Sequence, residues 1–194
     1  MSTPVQQLFD LRGQAALITG GSRGLGRTLG RVFAEQGARV AFSYSRGEEA
    51  AKEALADIEA HGAAGKSFKV SVLDGEGTAA MIKSIEDAWG ALDILVNNAG
   101  VTQNLPLALL EEEDFDHVMD INVKGTYLTS RAALRGMIRR KSGVILNMGS
   151  LAGMRALEAP IHYSTSKAAL VGMTESMSKE VARHNIRGLC LAPG

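Results

Sequence analysis

The stretch Ala15-Ala16-Leu17-Ile18-Thr19-Gly20-Gly21-Ser22-Arg23-Gly24-Leu25-Gly26 decides the fold. Its first five residues are short and apolar, as a strand buried on both faces should be, and the glycine pair stops them. Over residues 24–36 the apolar side chains Leu25, Leu29, Val32 and Phe33 recur at helical spacing, and Gly37 follows as the terminating glycine. A strand that enters a helix through glycines can turn sharply and bring bare backbone close to a pyrophosphate. Free N–H groups at the helix start favour that negative charge. The same pattern also serves as a plain tight connection, so the rest of the chain has to decide.

Apolar β-rich runs and amphipathic stretches alternate onward. Further strands are expected at residues 39–43, 66–72, 92–96, 144–147 and 186–191. Helices are expected at 48–61, 78–89, 111–141 (as one helix or two consecutive ones) and 161–183. Strands separated by helices pair in parallel, because each crossover is a helix packed on a sheet face. Right-handed crossovers then give an α/β fold, a single doubly wound parallel sheet of the Rossmann-like kind. No repeat, low-complexity tract or linker divides it, so one domain over 1–194 is expected.

Composition narrows the function. Of 194 residues, 45% are apolar and 22% charged, which suits one folded domain with a substantial core. Lys plus Arg and Asp plus Glu balance at 21 each, leaving no net field to attract nucleic acid or an acidic membrane. The lone Cys190 excludes an intrachain disulfide and fits a reducing compartment. No apolar run approaches the roughly 20 residues that span a bilayer, and residues 1–12 lack a basic start followed by an apolar segment. A cytoplasmic location is expected. The four histidines and the cysteine show no metal-ligand spacing, so no metal site is expected.

Further signals fall in order along the chain. Asn97-Asn98-Ala99-Gly100 follows the fourth strand, and Asn122 sits between Ile121 and Val123. Ser150 follows the fifth strand, Tyr163-Ser164-Thr165-Ser166-Lys167 opens the last helix, and Pro193-Gly194 follows the sixth strand. With the spacing Thr-Gly-x-x-x-Gly-x-Gly at 19–26, the chain resembles the short-chain dehydrogenase/reductase family from about residue 10 to its end. Within that family its wording is most similar to 3-oxoacyl-[acyl-carrier-protein] reductases.

Tyr163 and Lys167 lie four apart on one helix and share a face. An ammonium one turn from a phenol favours the phenolate. A tyrosine so placed can give a proton to a carbonyl oxygen as hydride arrives, or take one back in the reverse direction. The resemblance implies that Lys167 also bonds the nicotinamide ribose and that Ser150 holds the substrate oxygen against Tyr163. It also implies that Asn122 positions a water joining Lys167 to solvent. It places nucleotide contacts at Gly20, Ser22, Arg23, Gly24, Leu25, Gly26, Ser45 and Arg46, then at Asn98, Ala99, Gly100, Tyr163, Lys167, Pro193 and Gly194. Ser71 and Val72 stand where relatives carry Asp or Asn followed by Val beside the adenine, and a serine hydroxyl can still bond the adenine edge.

The segment Ser43-Tyr44-Ser45-Arg46 offers no carboxylate to a ribose 2′-hydroxyl, whereas Arg23 and Arg46 suit a 2′-phosphate. NADP(H) is the expected cofactor. Asp93 and Asn97 are expected to be structural, Asp74 to cap a helix, and the acidic residues 111–114 to favour a helix start. Met137, Met148, Met173 and Met177 are expected to fill the core or an interface. Arg139, Arg140, Lys141, Arg183 and His184 either dock an acidic acyl carrier protein near the active-site mouth or simply balance helix dipoles. The resemblance implies a homodimer or homotetramer built through the two long helices.

The expected activity is NADPH-dependent reduction of a 3-oxoacyl thioester. Two alternatives stay open: an NADP-dependent sugar, polyol or small-alcohol dehydrogenase, and a non-catalytic NADP-binding regulatory module. Modules of the latter kind tend to lose the tyrosine or lysine that this chain keeps. Because the chain stops just after a strand, it is expected to lack a C-terminal strand and a substrate loop that relatives carry. Gly188-Leu189 replaces a Val-Asn pair frequent among those relatives.

Overall fold

The computed structural model describes residues 9–194, so residues 1–8 of the expected leader-free start lie outside the described residues. Six strands form one parallel sheet in the order β3-β2-β1-β4-β5-β6. They are β1 (Ala15–Thr19), β2 (Arg39–Tyr44), β3 (Gly65–Lys69), β4 (Ile94–Asn97), β5 (Gly143–Met148) and β6 (Ile186–Leu191). The helices between them are α1 (Gly24–Glu35), α2 (Glu48–Glu59), α3 (Gly75–Trp89), α4 (Glu112–Met119), α5 (Gly125–Arg140) and α6 (Ile161–Val181).

All five residues of β1 are buried, because the strand is central and each face carries a helical layer. Strand side chains alternate, so Leu17 and Ile18 enter different cores. Leu17, Ala41, Leu95 and Ile145 pack against Met81, Ile82 and Ile85 of α3, Ala133 and Met137 of α5, and Val181 of α6. Ile18, Val40, Phe42 and Val96 pack against Ala34 of α1 and Ala51, Ala54 and Ile58 of α2. Polar ties fix the sheet at both ends. Asp93 accepts the Ala15 N–H at 2.8 Å. Asn97 donates to Ser130 Oγ at 2.9 Å and to Asn147 Oδ1 at 2.8 Å, while Asn147 donates to Thr174 Oγ1 at 2.8 Å. This buried chain joins α5, β4, β5 and α6, so Asp93 and Asn97 are structural as expected.

Several boundaries differ from the expected ones. The third strand ends at Lys69, not residue 72, because β2, its one partner among the described residues, ends at Tyr44, which is paired with Lys69. Ser71 and Val72 therefore lie in the following loop. The next helix begins at Gly75 rather than 78, since Asp74 accepts the Gly77 N–H at 2.8 Å and caps it. The long helical region is split between α4 and α5 by one π turn, Asp120–Lys124. Among the described residues no helix is long and apolar enough to cross a membrane.

Parallel pairing brings the carboxyl ends of all six strands to one edge, with the starts of α1 and α6 beside them. The direction of winding reverses between β1 and β4, where a crevice opens.

One helix contact tests the packing. Glu86 of α3 is largely buried and accepts Arg140 Nη1 of α5 at 2.9 Å, with Arg139 at 3.7 Å. A Cβ on Gly136 would strike that carboxylate. Alanine normally stabilises a helix interior over glycine by about 1 kcal/mol. Gly136→Ala should instead lower stability by about 1 kcal/mol, by displacing Glu86 from Arg140, and should become stabilising in the Glu86→Ala background. Urea unfolding of the four chains measures this; stabilisation by Gly136→Ala in both backgrounds would contradict the packing.

Candidate active site

The crevice begins where the β1 loop meets the β4 loop. Thr19 Oγ1 accepts the N–H groups of Asn98 and Ala99, both at 3.0 Å. Asn98 Nδ2 returns bonds to Thr19 O at 3.0 Å and Gly20 O at 3.2 Å. Space here allows only glycine at two positions. A Cβ on Gly20, whose φ is +66°, would lie 3.0 Å from Ala99 Cα, and one on Gly26 would lie 2.5 Å from Gly20 O. With the two loops spliced, the start of α1 faces a cleft of about 340 Å³. No side chain caps α1 and no acidic residue sits in its first turn, so its N–H groups remain available to an anion.

Gly20, Ser22, Arg23, Gly24, Leu25, Gly26, Ser45, Arg46, Ser71, Val72, Asn98, Ala99 and Gly100 all line this cleft. No carboxylate does. Among the described residues Arg23 and Arg46 make no ion pair and no side-chain hydrogen bond. A bare-backbone cradle, an uncapped helix start and two unengaged guanidiniums fit a dinucleotide carrying phosphate at both its pyrophosphate and its ribose.

A second cleft of about 420 Å³ shares Leu25, Asn98, Gly100 and Val101 with the first and continues it. Its other walls include Ser150, Tyr163, Lys167, Pro193 and Gly194. Pro193 is held by its carbonyl, which accepts the Leu151 N–H at 3.0 Å. Ser150 has extended backbone, and its Oγ accepts the Ala152 N–H at 3.2 Å, opening a short 3-10 turn. Lys167 is only 6% exposed. Its Nζ donates to Met148 O at 2.6 Å and lies 5.6 Å from the centre of the Tyr163 ring. Burial pushes this ammonium below the ordinary lysine value of 10.5.

Asn122 is the exception among the expected site residues. It is fully buried behind the wall and lines neither cleft. Its Oδ1 accepts the Val101 N–H at 2.8 Å, and its Nδ2 donates to Val101 O at 3.0 Å and Ser166 Oγ at 2.9 Å. Its own carbonyl accepts the Thr126 hydroxyl at 2.8 Å. The π turn makes this possible by turning Asn122 inward where α4 meets α5. Residues not singled out from the sequence also line the clefts, namely Tyr44, Val70, Val101, Thr102, Ile121 and Gly149, and Met148, expected in the core, packs there and lines the second cleft as well. Most follow the carboxyl end of a strand, the one signal that could have found them.

The basic helix ends lie elsewhere. α5 and α6 run against the strands, so residues 139–141 and 183–184 sit at the opposite edge of the sheet. Tyr163 and Arg183 are about 30 Å apart at 1.5 Å per helical residue. Arg140 is also engaged with Glu86. Within one chain, then, these cations are not at the active-site mouth, where one of the two open readings would put them. The direction of the helices puts them at the far edge.

A family model described as short chain dehydrogenase matches residues 14–194. The chain belongs to the short-chain dehydrogenase family. Members of this family are oxidoreductases that bind a nicotinamide nucleotide, NAD or NADP. The 3-oxoacyl-[acyl-carrier-protein] reductase FabG of Staphylococcus aureus (strain N315) is 36% identical over 181 residues, covering 93% of this chain and 74% of that protein. The reductase of the same name from Chlamydia muridarum is 37% identical over 182 residues, covering 93% and 73%. Among solved short-chain dehydrogenase folds, a short-chain type dehydrogenase/reductase from Mycobacterium marinum superposes with a TM-score of 0.94 at 34% identity, covering 99% of this chain and 78% of that one. An NAD+-bound xylitol dehydrogenase superposes with a TM-score of 0.90 at 31% identity, covering 95% and 71%.

The buried lysine of this short-chain dehydrogenase has a measurable signature. The folded chain releases the Lys167 proton at lower pH than the unfolded chain does. Unfolding therefore takes up a proton between the lowered value and 10.5. Stability from this group rises with pH across that window, is complete above 10.5, and is lost as pH falls through the lowered value. Relative to Lys167→Met, the wild-type chain should gain melting temperature as pH is raised from neutral toward 10.5. A difference that stays constant over the window would contradict the burial.

Proposed function

We propose that the chain is an NADPH-dependent carbonyl reductase that converts a 3-oxoacyl thioester to its 3-hydroxyacyl form, with Tyr163 as proton donor. One observation carries the reading: a carboxylate-free cleft bearing the unengaged Arg23 and Arg46 runs into the cleft that holds Ser150, Tyr163 and Lys167. Arg23 and Arg46 take the ribose 2′-phosphate, and the start of α1 takes the pyrophosphate. The reduced nicotinamide, when bound, supplies the hydride. Ser150 holds the substrate oxygen by hydrogen bond. Tyr163 delivers its phenolic proton to that oxygen as negative charge develops there. Lys167 stabilises the phenolate that remains and bonds the nicotinamide ribose.

The mouth supports an acyl substrate. Exposed Leu107 and Leu109 lie on the loop after β4, and exposed Met154, Leu157 and Ile161 on the segment after β5, at the same sheet edge as Tyr163. Apolar side chains exposed at this edge favour an acyl chain. The likeness to xylitol dehydrogenase supports a second reading, oxidation of a polyol or small alcohol, for which an apolar mouth is less suited. A regulatory module without turnover has no use for a lysine buried beside a tyrosine.

Assembly as a homodimer or homotetramer belongs to the same proposal. The rod formed by α4, the π turn and α5 exposes Phe115, Tyr127 and Ile138. Glu112, Glu113 and Asp116 occupy its first part, and Arg131, Arg135 and Arg139 its last. Two copies packed antiparallel about a twofold axis bring opposite charges together. The basic edge of one copy then comes to the mouth end of the other, where an acidic acyl carrier protein can dock.

Tyr163→Phe should lower turnover of an acetoacetyl thioester by at least about a hundredfold while the NADPH Kd stays within twofold; retained turnover would remove the mechanism. Arg23→Ala should weaken NADPH about tenfold, the loss of one charged hydrogen bond, and leave NADH unchanged. Equal affinity of the wild-type chain for both nucleotides in fluorescence titrations would overturn the NADP assignment. Turnover of xylitol with NADP+ in preference to the thioester would favour the second reading.

A further inference from the structure

We infer that Ser166 is a positioning residue: acting through Asn122, its hydroxyl fixes the distance between the cleft wall at Gly100 and Val101 and the helical turn that carries Tyr163 and Lys167. The inference rests on reading the cleft as a carbonyl reductase site.

Ser166 is fully buried and touches neither cleft. Its single hydroxyl proton goes to the Tyr163 carbonyl at 2.7 Å, and its oxygen accepts from Asn122 Nδ2 at 2.9 Å. The second Nδ2 proton goes to Val101 O, and Asn122 Oδ1 takes the Val101 N–H. Every donor in this chain is committed, and each bond fixes the direction of the next. An amide nitrogen can only donate, so the serine must accept there and give its own proton to Tyr163. Rotating the Asn122 amide would set Nδ2 against the Val101 N–H and Oδ1 against the Val101 carbonyl, leaving two like groups facing at each. The network therefore has one arrangement.

That arrangement spans three segments: the loop after β4, the π turn and the first turn of α6. Gly100 lies on the same wall, and a Cβ there would be 3.2 Å from Asn122 Oδ1 and 3.7 Å from Lys167 Nζ. A methyl group there would crowd Asn122 while making only ordinary contact with the lysine. Tyr163 and Lys167 move together because they share a helix. What the network holds is their spacing from the wall along which the two clefts join, the spacing that governs whether hydride and proton reach the same carbonyl. A misplacement of about 1 Å at such a point can cost on the order of a hundredfold in rate.

The test uses Ser166→Ala in the full chain, with two readouts. Amide hydrogen exchange at Val101, followed without substrate, should speed up as the Asn122 clamp loosens. With an acetoacetyl thioester and NADPH, kcat should fall about tenfold to a hundredfold while the NADPH Kd holds. The isotope effect on kcat from NADPH deuterated at the transferring position should rise as hydride transfer becomes rate-limiting. A residue that only supported folding would lower the active fraction and leave that isotope effect unchanged. Ser166→Cys keeps a weak donor and acceptor in a similar volume and should recover part of both readouts. It also serves if the alanine chain does not fold.

Unchanged Val101 exchange would overturn the clamp. Faster exchange with an unchanged isotope effect would overturn the positioning role, and equal losses in the alanine and cysteine chains would assign the effect to packing. If the wild-type chain reduces no carbonyl, the reductase reading fails and with it the positioning role, while Val101 exchange still decides whether the clamp exists.

Discussion

The arrangement depends on the splice between the loops after β1 and β4. Parallel strands cannot form a crevice alone; the crevice opens where the order of winding reverses, and its walls must be held there. Thr19 and Asn98 hold them with four hydrogen bonds, and the bare Gly20 and Gly26 let the loops approach closely enough to make those bonds. One side of the splice presents the uncapped start of α1. The other presents Gly100 and Val101, which Asn122 ties to α6. Hydrogen bonds at either end of the short backbone run from Ala99 to Val101 thus link the glycine turn to Tyr163.

The site is expensive to maintain. A lysine ammonium at 6% exposure loses most of its hydration and regains one close carbonyl, that of Met148. Asn122, Ser166 and Thr126 are buried polar groups whose stability depends on complete pairing. The two apolar layers around Leu17 and Ile18 supply the burial that carries such a site. Residues conserving charge in an apolar setting mark where stability has been exchanged for chemistry.

Much of this was legible in the sequence, for identifiable reasons. β1 and its glycine turn could be read because a doubly buried strand is uniformly apolar and a close backbone approach demands glycine. Tyr163 and Lys167 could be placed together because four residues make one helical turn. Ser71 and Val72 looked like strand residues by composition, yet the ladder ended at Lys69; strand length depends on the partner strand, which local sequence does not encode. Asn122 could be singled out by its motif, but nothing in its neighbours signals the π turn that buries it behind the wall. The basic helix ends could be read either as a docking surface or as balance for helix dipoles, because charge is legible in sequence, whereas the edge of the sheet at which a helix finishes requires the topology.

The most direct test of the account is a crystal structure of the full chain grown with NADP+. The account predicts the 2′-phosphate against Arg23 and Arg46, the pyrophosphate at the start of α1, and the nicotinamide between Gly100 and Tyr163. A nucleotide bound in the reverse sense, with its adenine end beside Tyr163, or bound away from the Thr19 and Asn98 splice, would contradict it.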